Sequence, residues 1–251
     1  MSAFAEMGLA PELLQAIEEL GFETPTPVQE KTIPVILSST RDLVVLAQTG
    51  TGKTAAFGLP LLQVGDPSAS RLQTLILCPT RELCMQITAD LANFSKYISG
   101  VRIVPVYGGT GINTQIREVK SRPSVVVGTP GRVLDLIRRK VLDLGAIRWL
   151  ILDEADEMLN MGFQEDLNEI LSQTPKERQT LLFSATMPKA IATIAAQYMH
   201  SPEEISVGQK NAGAENVTHE YYMVHARDRY PALKRIVDMN PSVYGIIFCR
   251  T

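Results

Sequence analysis

LVVLAQTGTGKTAAFGLPLLQ, Leu43 to Gln63, joins a run of five apolar residues, a glycine-bearing turn and a long apolar stretch that opens near Lys53. The valine-rich run reads as a strand buried on both faces, and the stretch after the turn reads as a helix in a core. Between them Ala47, Gln48, Thr49, Gly50, Thr51, Gly52, Lys53 and Thr54 have the spacing of a phosphate-cradling loop. In such a loop backbone N–H groups and the positive end of the helix face the anion, the lysine reaches the outer phosphates, and the threonine hydroxyl helps hold Mg²⁺. The general pattern begins with glycine, where this chain has Ala47. The ligand this arrangement predicts is a nucleoside triphosphate.

Six further apolar runs follow: TLILC (74–78), RIVPV (102–106), SVVVGT (124–129), WLILD (149–153), TLLFSA (180–185) and EEISV (203–207). Helical patterns lie between them. In 81–98, Leu83, Ile87, Leu91, Phe94 and Ile98 recur at steps of three and four, which makes one apolar stripe. The alternation predicts a doubly wound α/β domain, a mostly parallel sheet sandwiched between helices, with ligands at the carboxyl ends of the strands. Residues 208–216, GQKNAGAEN, read as a linker dividing 1–207 from 217–251. After it the pattern predicts a strand in VTHEYYMV (217–224), a helix around Tyr230 to Met239 and a closing strand in YGIIFCRT (244–251). One helix and two strands are too little for a stable domain.

The 45% apolar, 20% charged composition is that of a soluble globular protein. No run approaches the roughly 18 apolar residues of a membrane span, and the first residues lack a basic then apolar signal pattern. A cytoplasmic location without membrane contact is therefore expected. Cys78, Cys84 and Cys249 have no zinc spacing and are expected to be reduced thiols, the first two in the core. His200, His219 and His225 match no catalytic or metal spacing. The net charge is -3, so the global basic footprint of many nucleic-acid binders is absent. Nucleic acid, if bound, must be held by local dipoles and a few arginines.

A second element is needed to hold the metal, and WLILDEADEML supplies a candidate. Its strand delivers Asp153 to an edge where the carboxylate could hold Mg²⁺ through water, and Glu154 could orient an attacking water. The acidic run has a second reading, a first helical turn favoured by the helix dipole.

Asp153-Glu154-Ala155-Asp156 spells D-E-A-D, and the chain resembles the DEAD-box ATP-dependent RNA helicases over nearly its whole length. GFETPTPVQ (21–29) resembles the family's Q motif, AQTGTGKT (47–54) its motif I, PTREL (79–83) motif Ia, Gly108-Gly109 its glycine pair, TPGR (129–132) motif Ib and SAT (184–186) motif III. Ala47 is normal for this family. The resemblance implies a RecA-like P-loop NTPase domain over 1–207, with its Q motif within 2–30, and the start of a second RecA-like domain at 217–251. It implies ATP and Mg²⁺ as ligands, Lys53, Asp153 and Glu154 as catalytic residues, and Thr54 and Asp153 on the metal.

Phe22 would stack on adenine and Gln29 would bond its edge. Thr26, Pro27 and Gln29 also fit a capping box, so Gln29 could serve its helix alone. Phe4 resembles the family's isolated upstream aromatic, or is a packing anchor. Pro79, Thr80, Arg81, Gly108, Gly109, Thr129, Pro130, Gly131 and Arg132 would contact the RNA backbone without reading its sequence. The two segments starting helices would do so through N–H groups and one arginine each. Asp156, Ser184 and Thr186 would couple the two sites, although the hydroxyls could instead cap the next helix.

The activity implied is ATP-dependent binding and local unwinding of RNA, with a second RecA-like domain of the same polypeptide as partner and protein cofactors unspecified. A non-catalytic ATP-dependent RNA clamp and a DNA translocase are the alternatives. YGIIFCRT resembles motif IV, and the later D-x-x-A-R-G and H-R-x-G-R patterns do not occur in these residues. The chain is therefore expected to be a truncated piece that binds ATP and hydrolyses it very slowly.

Overall fold

The computed structural model describes residues 3–69, 71–207, 218 and 220–249. All seven apolar runs of the first 207 residues form strands: β1 (Leu43–Leu46), β2 (Thr74–Leu77), β3 (Ile103–Val106), β4 (Val125–Gly128), β5 (Trp149–Leu152), β6 (Gln179–Ser184) and β7 (Glu203–Ser206). They pair in parallel in the order β3-β4-β2-β5-β6-β1-β7. A parallel sheet needs long crossovers, and helices fill them on both faces, which is why β1, β2, β4, β5 and β6 are buried at every position.

Alternate side chains divide between two cores. Val45, Ile76, Val127, Ile151 and Phe183 pack under α2 (Pro11–Glu19), α3 (Pro27–Ser38), α4 (Lys53–Val64) and α5 (Arg81–Phe94). Val44, Leu75, Val126, Leu150 and Leu182 pack under α6 (Ile112–Lys120), α7 (Pro130–Arg138), α8 (Ala155–Asn160), α9 (Gln164–Ser172) and α10 (Lys189–Tyr198). Phe4, on the short α1 (Ala3–Glu6), is buried in the first core against Phe22, with ring centroids 6.1 Å apart. It is a packing anchor. Cys78 and Cys84 are free and buried, as expected of small core residues.

The described residues up to Val207 belong to one compact unit and those from Thr218 onward to another. In the second, α11 (Arg229–Met239) occupies the expected helical segment. Neither expected strand forms among the described residues: 218, 220–225 and 243–249 pair with nothing in a sheet, and Tyr221, Tyr244 and Phe248 are exposed. Apolar and β-branched composition gives a segment strand propensity, but a strand exists only when a neighbour completes its ladder. The linker residues 208–216, together with Val217, His219, Arg250 and Thr251, lie outside the described residues. Among the described residues no helix is long and apolar enough to cross a membrane.

The tightest approach in the sheet is at the end of β4. A Cβ on Gly128 would lie 2.4 Å from Val133 Cγ2, 2.6 Å from Val106 Cγ2 and 2.9 Å from the Val106 carbonyl oxygen. Two stiff β-branched side chains and a backbone oxygen cannot retreat together. Gly128→Ala is therefore expected to destabilise the protein by about 2 kcal/mol in urea unfolding. A change within about 0.5 kcal/mol would show that α7 shifts freely on β4.

Candidate functional site

Because all strands run one way, their following loops emerge on one edge of the sheet. β5, β6 and β1 are neighbours, so residues 153–156, 184–188 and 47–54 come together there. β2, β4 and β3 are neighbours on the other side of β5, which groups residues 78–81, 129–132 and 107–111. Apart from Phe22 and Gln29, which precede β1, the expected site residues fall into these two groups.

In the first group Gly52 has φ +88°, and a Cβ there would sit 2.5 Å from Gln29 Nε2. Only glycine fits both conditions. The loop then enters α4 at Lys53, leaving N–H groups of the first turn without helical acceptors. The Lys53 side chain is 6% exposed, its Nζ has no hydrogen-bond partner, and Asp153 Oδ1 lies 3.8 Å away. Burial pushes the Asp153 carboxyl up to about 6, against the opposing pull of Lys53. Asp153 Oδ1 also accepts the Glu154 N–H at 3.0 Å.

Glu154 is the N-cap of α8 in a left-handed conformation, φ 51°, so only the later acidic residues occupy the first helical turn. That conformation costs an L-residue about 1 kcal/mol, a strain of the kind concentrated at functional sites. Thr49 Oγ1 donates to Glu154 Oε1 at 3.1 Å. Lys53, Thr54, Asp153 and Glu154 line a cleft of about 440 Å³ together with Phe22 and Gln29.

Gln29 is committed at both ends of its amide. Oε1 accepts the Thr26 N–H at 2.9 Å, the reciprocal bond of the expected capping box. Nε2 donates to the Gly52 carbonyl at 3.2 Å, so the glutamine ties α3 to the loop as well as capping its own helix. Phe22 is held edge-on by Phe94, 6.0 Å between centroids. The α5 residues Gln86, Asp90 and Asn93 also line the cleft, and burial raises the Asp90 carboxyl. Their polar spacing along the helix is the same as that of an ordinary solvent face, and it does not single them out in the sequence.

Asp156 accepts Thr186 N–H at 3.0 Å and Thr186 Oγ1 at 2.7 Å. Burial alone would raise its carboxyl, but hydrogen bonds led by Thr186 hold it below the usual range. The Thr186 hydroxyl therefore serves Asp156; α10 begins at Lys189 with no side-chain cap. Ser184 is fully buried at the end of β6.

In the second group Thr80 Oγ1 caps α5 by accepting Leu83 N–H at 3.2 Å. The Arg81 guanidinium lies over the Tyr107 ring, 5.0 Å from its centroid. Thr129 starts α7, with Pro130 buried and Gly131 exposed. Arg132 Nη1 donates to Gln115 Oε1 at 2.9 Å, and both its Nη groups donate to Thr110 O at 3.3 Å. The arginine expected to face a ligand thus spends donors inside the chain. Gln115 and Tyr107 were not singled out in the sequence. The missed signal was a glutamine on the apolar stripe of Ile112, Ile116 and Val119.

The DEAD/DEAH box helicase family model matches residues 26–194. This chain is a member of that family. It is 47% identical over 251 residues to the ATP-dependent RNA helicase CshA of Listeria monocytogenes, covering 100% of this chain and 48% of that protein. The DEAD-box ATP-dependent RNA helicase CshA of Geobacillus kaustophilus is also 47% identical, with 53% of its length covered. The chain thus spans about half the length of these relatives. A crystal structure of a DEAD box protein from Methanococcus jannaschii matches with TM-score 0.79 at 40% identity, covering 99% of this chain and 66% of that one. An S. cerevisiae Dbp5 structure, bound to Gle1 and IP6, matches with TM-score 0.75 at 34% identity over 83% of this chain and 53% of that one. The fold is that of the RecA-like domains of DEAD-box helicases.

Asp153 gives a pH prediction. Its folded value near 6 exceeds the unfolded value of 3.8, so the folded state binds more protons between them. This group's contribution to stability therefore falls as pH rises from about 4 to about 6 and is level above. Without nucleotide, the melting temperature of Asp153→Asn minus that of the unaltered protein should rise across that window. A difference that stays level from pH 4 to 6.5 contradicts the buried carboxyl.

Proposed function

We propose that these 251 residues hold the ATP-binding site and one face of the RNA-binding groove of an ATP-dependent RNA helicase. The observation that carries this reading is Lys53: a buried ammonium without a hydrogen-bond partner, at the start of a helix and facing a cleft. Leaving such a group without a hydrogen bond, with Asp153 only an ion-pair distance of 3.8 Å away, is costly, and the outer phosphates of ATP would satisfy it.

The loop 47–54 binds the phosphates through its N–H groups, and Lys53 bonds the β and γ groups. Phe22 packs against adenine and Gln29 bonds its edge, exchanging a present bond to Gly52 or Thr26 for one to the base. The donor set fits Mg²⁺: among the described residues no cluster of three metal-ligating side chains exists, and Thr54 with Asp153 suits an ion that takes its remaining ligands from phosphate and water. When bound, the ion would supply charge neutralisation between the phosphates. Glu154, fixed by Thr49 and by its unusual backbone, orients the attacking water and accepts its proton.

Asp156 and Thr186 join the acidic loop to the end of β6, which lies between the two strands that form the nucleotide cleft. Movement at the γ-phosphate is thereby transmitted along the sheet edge to the neighbouring loops at 79–81, 108–109 and 129–132. These hold an RNA backbone through helix N-termini and Arg81, which suits a chain of net negative charge.

Lys53 is the single cation among the described residues lining the cleft. Phosphoryl transfer at useful rates needs further positive charge on the transition state, commonly an arginine worth on the order of 10³ to 10⁵ in rate. The 251-residue chain with single-stranded RNA is therefore expected to bind ATP yet turn it over more slowly than about 1 per second. Turnover of several per second sinks the slow-hydrolysis proposal, and failure to bind ATP in calorimetry sinks the site itself.

A further inference from the structure

Gln115 occupies a position that its helix pattern assigns to an apolar side chain. Ile112, Gln115, Ile116 and Val119 share one stripe of α6, and Gln115 is 4% exposed. Burial of an amide is tolerated when its polar groups are bonded, and here they are. Nε2 donates to the Tyr107 carbonyl at 3.1 Å and to Thr110 Oγ1 at 2.9 Å, while Oε1 accepts from Arg132 Nη1 at 2.9 Å. Arg132 adds two bonds to the Thr110 carbonyl, each 3.3 Å.

These contacts tie the 107–111 loop, α6 and the first turn of α7 into one clasp. Tyr107, whose carbonyl Gln115 holds, is also the ring beneath the Arg81 guanidinium. The loop carries Gly108 and Gly109, and a Cβ on Gly109 would lie 3.9 Å from Arg81 Nη1. One buried amide therefore sets the relative placement of Arg81 on α5, the glycine pair and the start of α7. These are the three segments assigned above to the RNA backbone.

We propose that Gln115 is a positioning residue for RNA binding. It acts through the 107–111 loop and Arg132, and has no part in nucleotide binding. The proposal rests on the reading of this edge as an RNA surface. Its chemistry is specific: the amide must donate to the loop and accept from the arginine at once, which no apolar residue or carboxylate does. A flexible loop would have to be ordered by each RNA that binds it, whereas a clasped loop presents its N–H groups already placed. Part of Arg132's donor set is spent on the clasp, so its contribution to RNA binding includes holding Thr110.

The test compares the 251-residue chain with Gln115→Leu, which keeps the volume and loses all three bonds, and Gln115→Glu, which keeps the acceptor for Arg132 and loses both donors to the loop. RNA affinity is read from the anisotropy of a labelled single-stranded oligouridine, ATP affinity from calorimetry, and loop order from amide hydrogen exchange. Both variants are expected to bind the RNA about tenfold more weakly, the equivalent of one or two lost hydrogen bonds, while ATP affinity stays within about twofold. Exchange should accelerate in 107–111 and remain unchanged in α5. Unchanged RNA affinity in either folded variant overturns the inference. Failure of the unaltered chain to bind the RNA overturns the reading of the surface instead, and unchanged loop exchange in the variants then overturns the clasp on its own.

Discussion

A buried ammonium and a buried carboxylate face each other 3.8 Å apart at the carboxyl edge of the sheet, and the ammonium lacks any hydrogen bond. Such a pair recovers its desolvation cost only when its remaining donors and acceptors are met, so by itself Lys53–Asp153 is a poor source of stability. The fold nevertheless holds both groups there. β1 and β5 must run in parallel with β6 between them for Lys53 and Asp153 to meet, and the left-handed Gly52 must start α4 at this point. The apolar strands supply the stability, and the edge keeps a deficit that an anion with its metal would remove.

The strand order divides that edge by chemistry. β5, β6 and β1 carry the phosphate loop, the acidic loop and the Asp156–Thr186 link. β3, β4 and β2 carry the glycine pair, Arg132 and Arg81, and β5 stands at the boundary. The second half relies on buried hydrogen bonds where the first relies on charge. Gln115 and Arg132 place a loop, Thr80 caps a helix, and Arg81 rests on an aromatic ring. On the proposed RNA face, that division would let a chain of net charge -3 hold a polyanion.

The strands of the first unit were legible because their runs are short, continuous and apolar, which a sheet covered on both faces requires. The turn from β1 into α4 was legible because its pattern is local: the strand, the glycines and the first helical residue Lys53 adjoin in sequence. Gln115 escaped because its role depends on Tyr107, Thr110 and Arg132, which meet only after folding, and α5's polar face escaped because a cleft wall and a solvent face have the same pattern. Gln29 was half legible. Its cap lies three residues away in sequence, while its bond to Gly52 spans 23. The strands expected after residue 217 show the opposite error, since propensity was present in the sequence and a pairing partner was not implied by it.

The claim that Lys53 is held for phosphate is tested most directly by the melting temperature of the unaltered chain and of Lys53→Met, with and without Mg²⁺ and ATP. At a nucleotide concentration about a hundredfold above its dissociation constant, ligand linkage should raise the melting temperature of the unaltered chain by about 5 °C or more. Lys53→Met should show no rise at the same concentration. Equal rises in the two proteins would contradict the account, because the nucleotide would then be held without the buried ammonium.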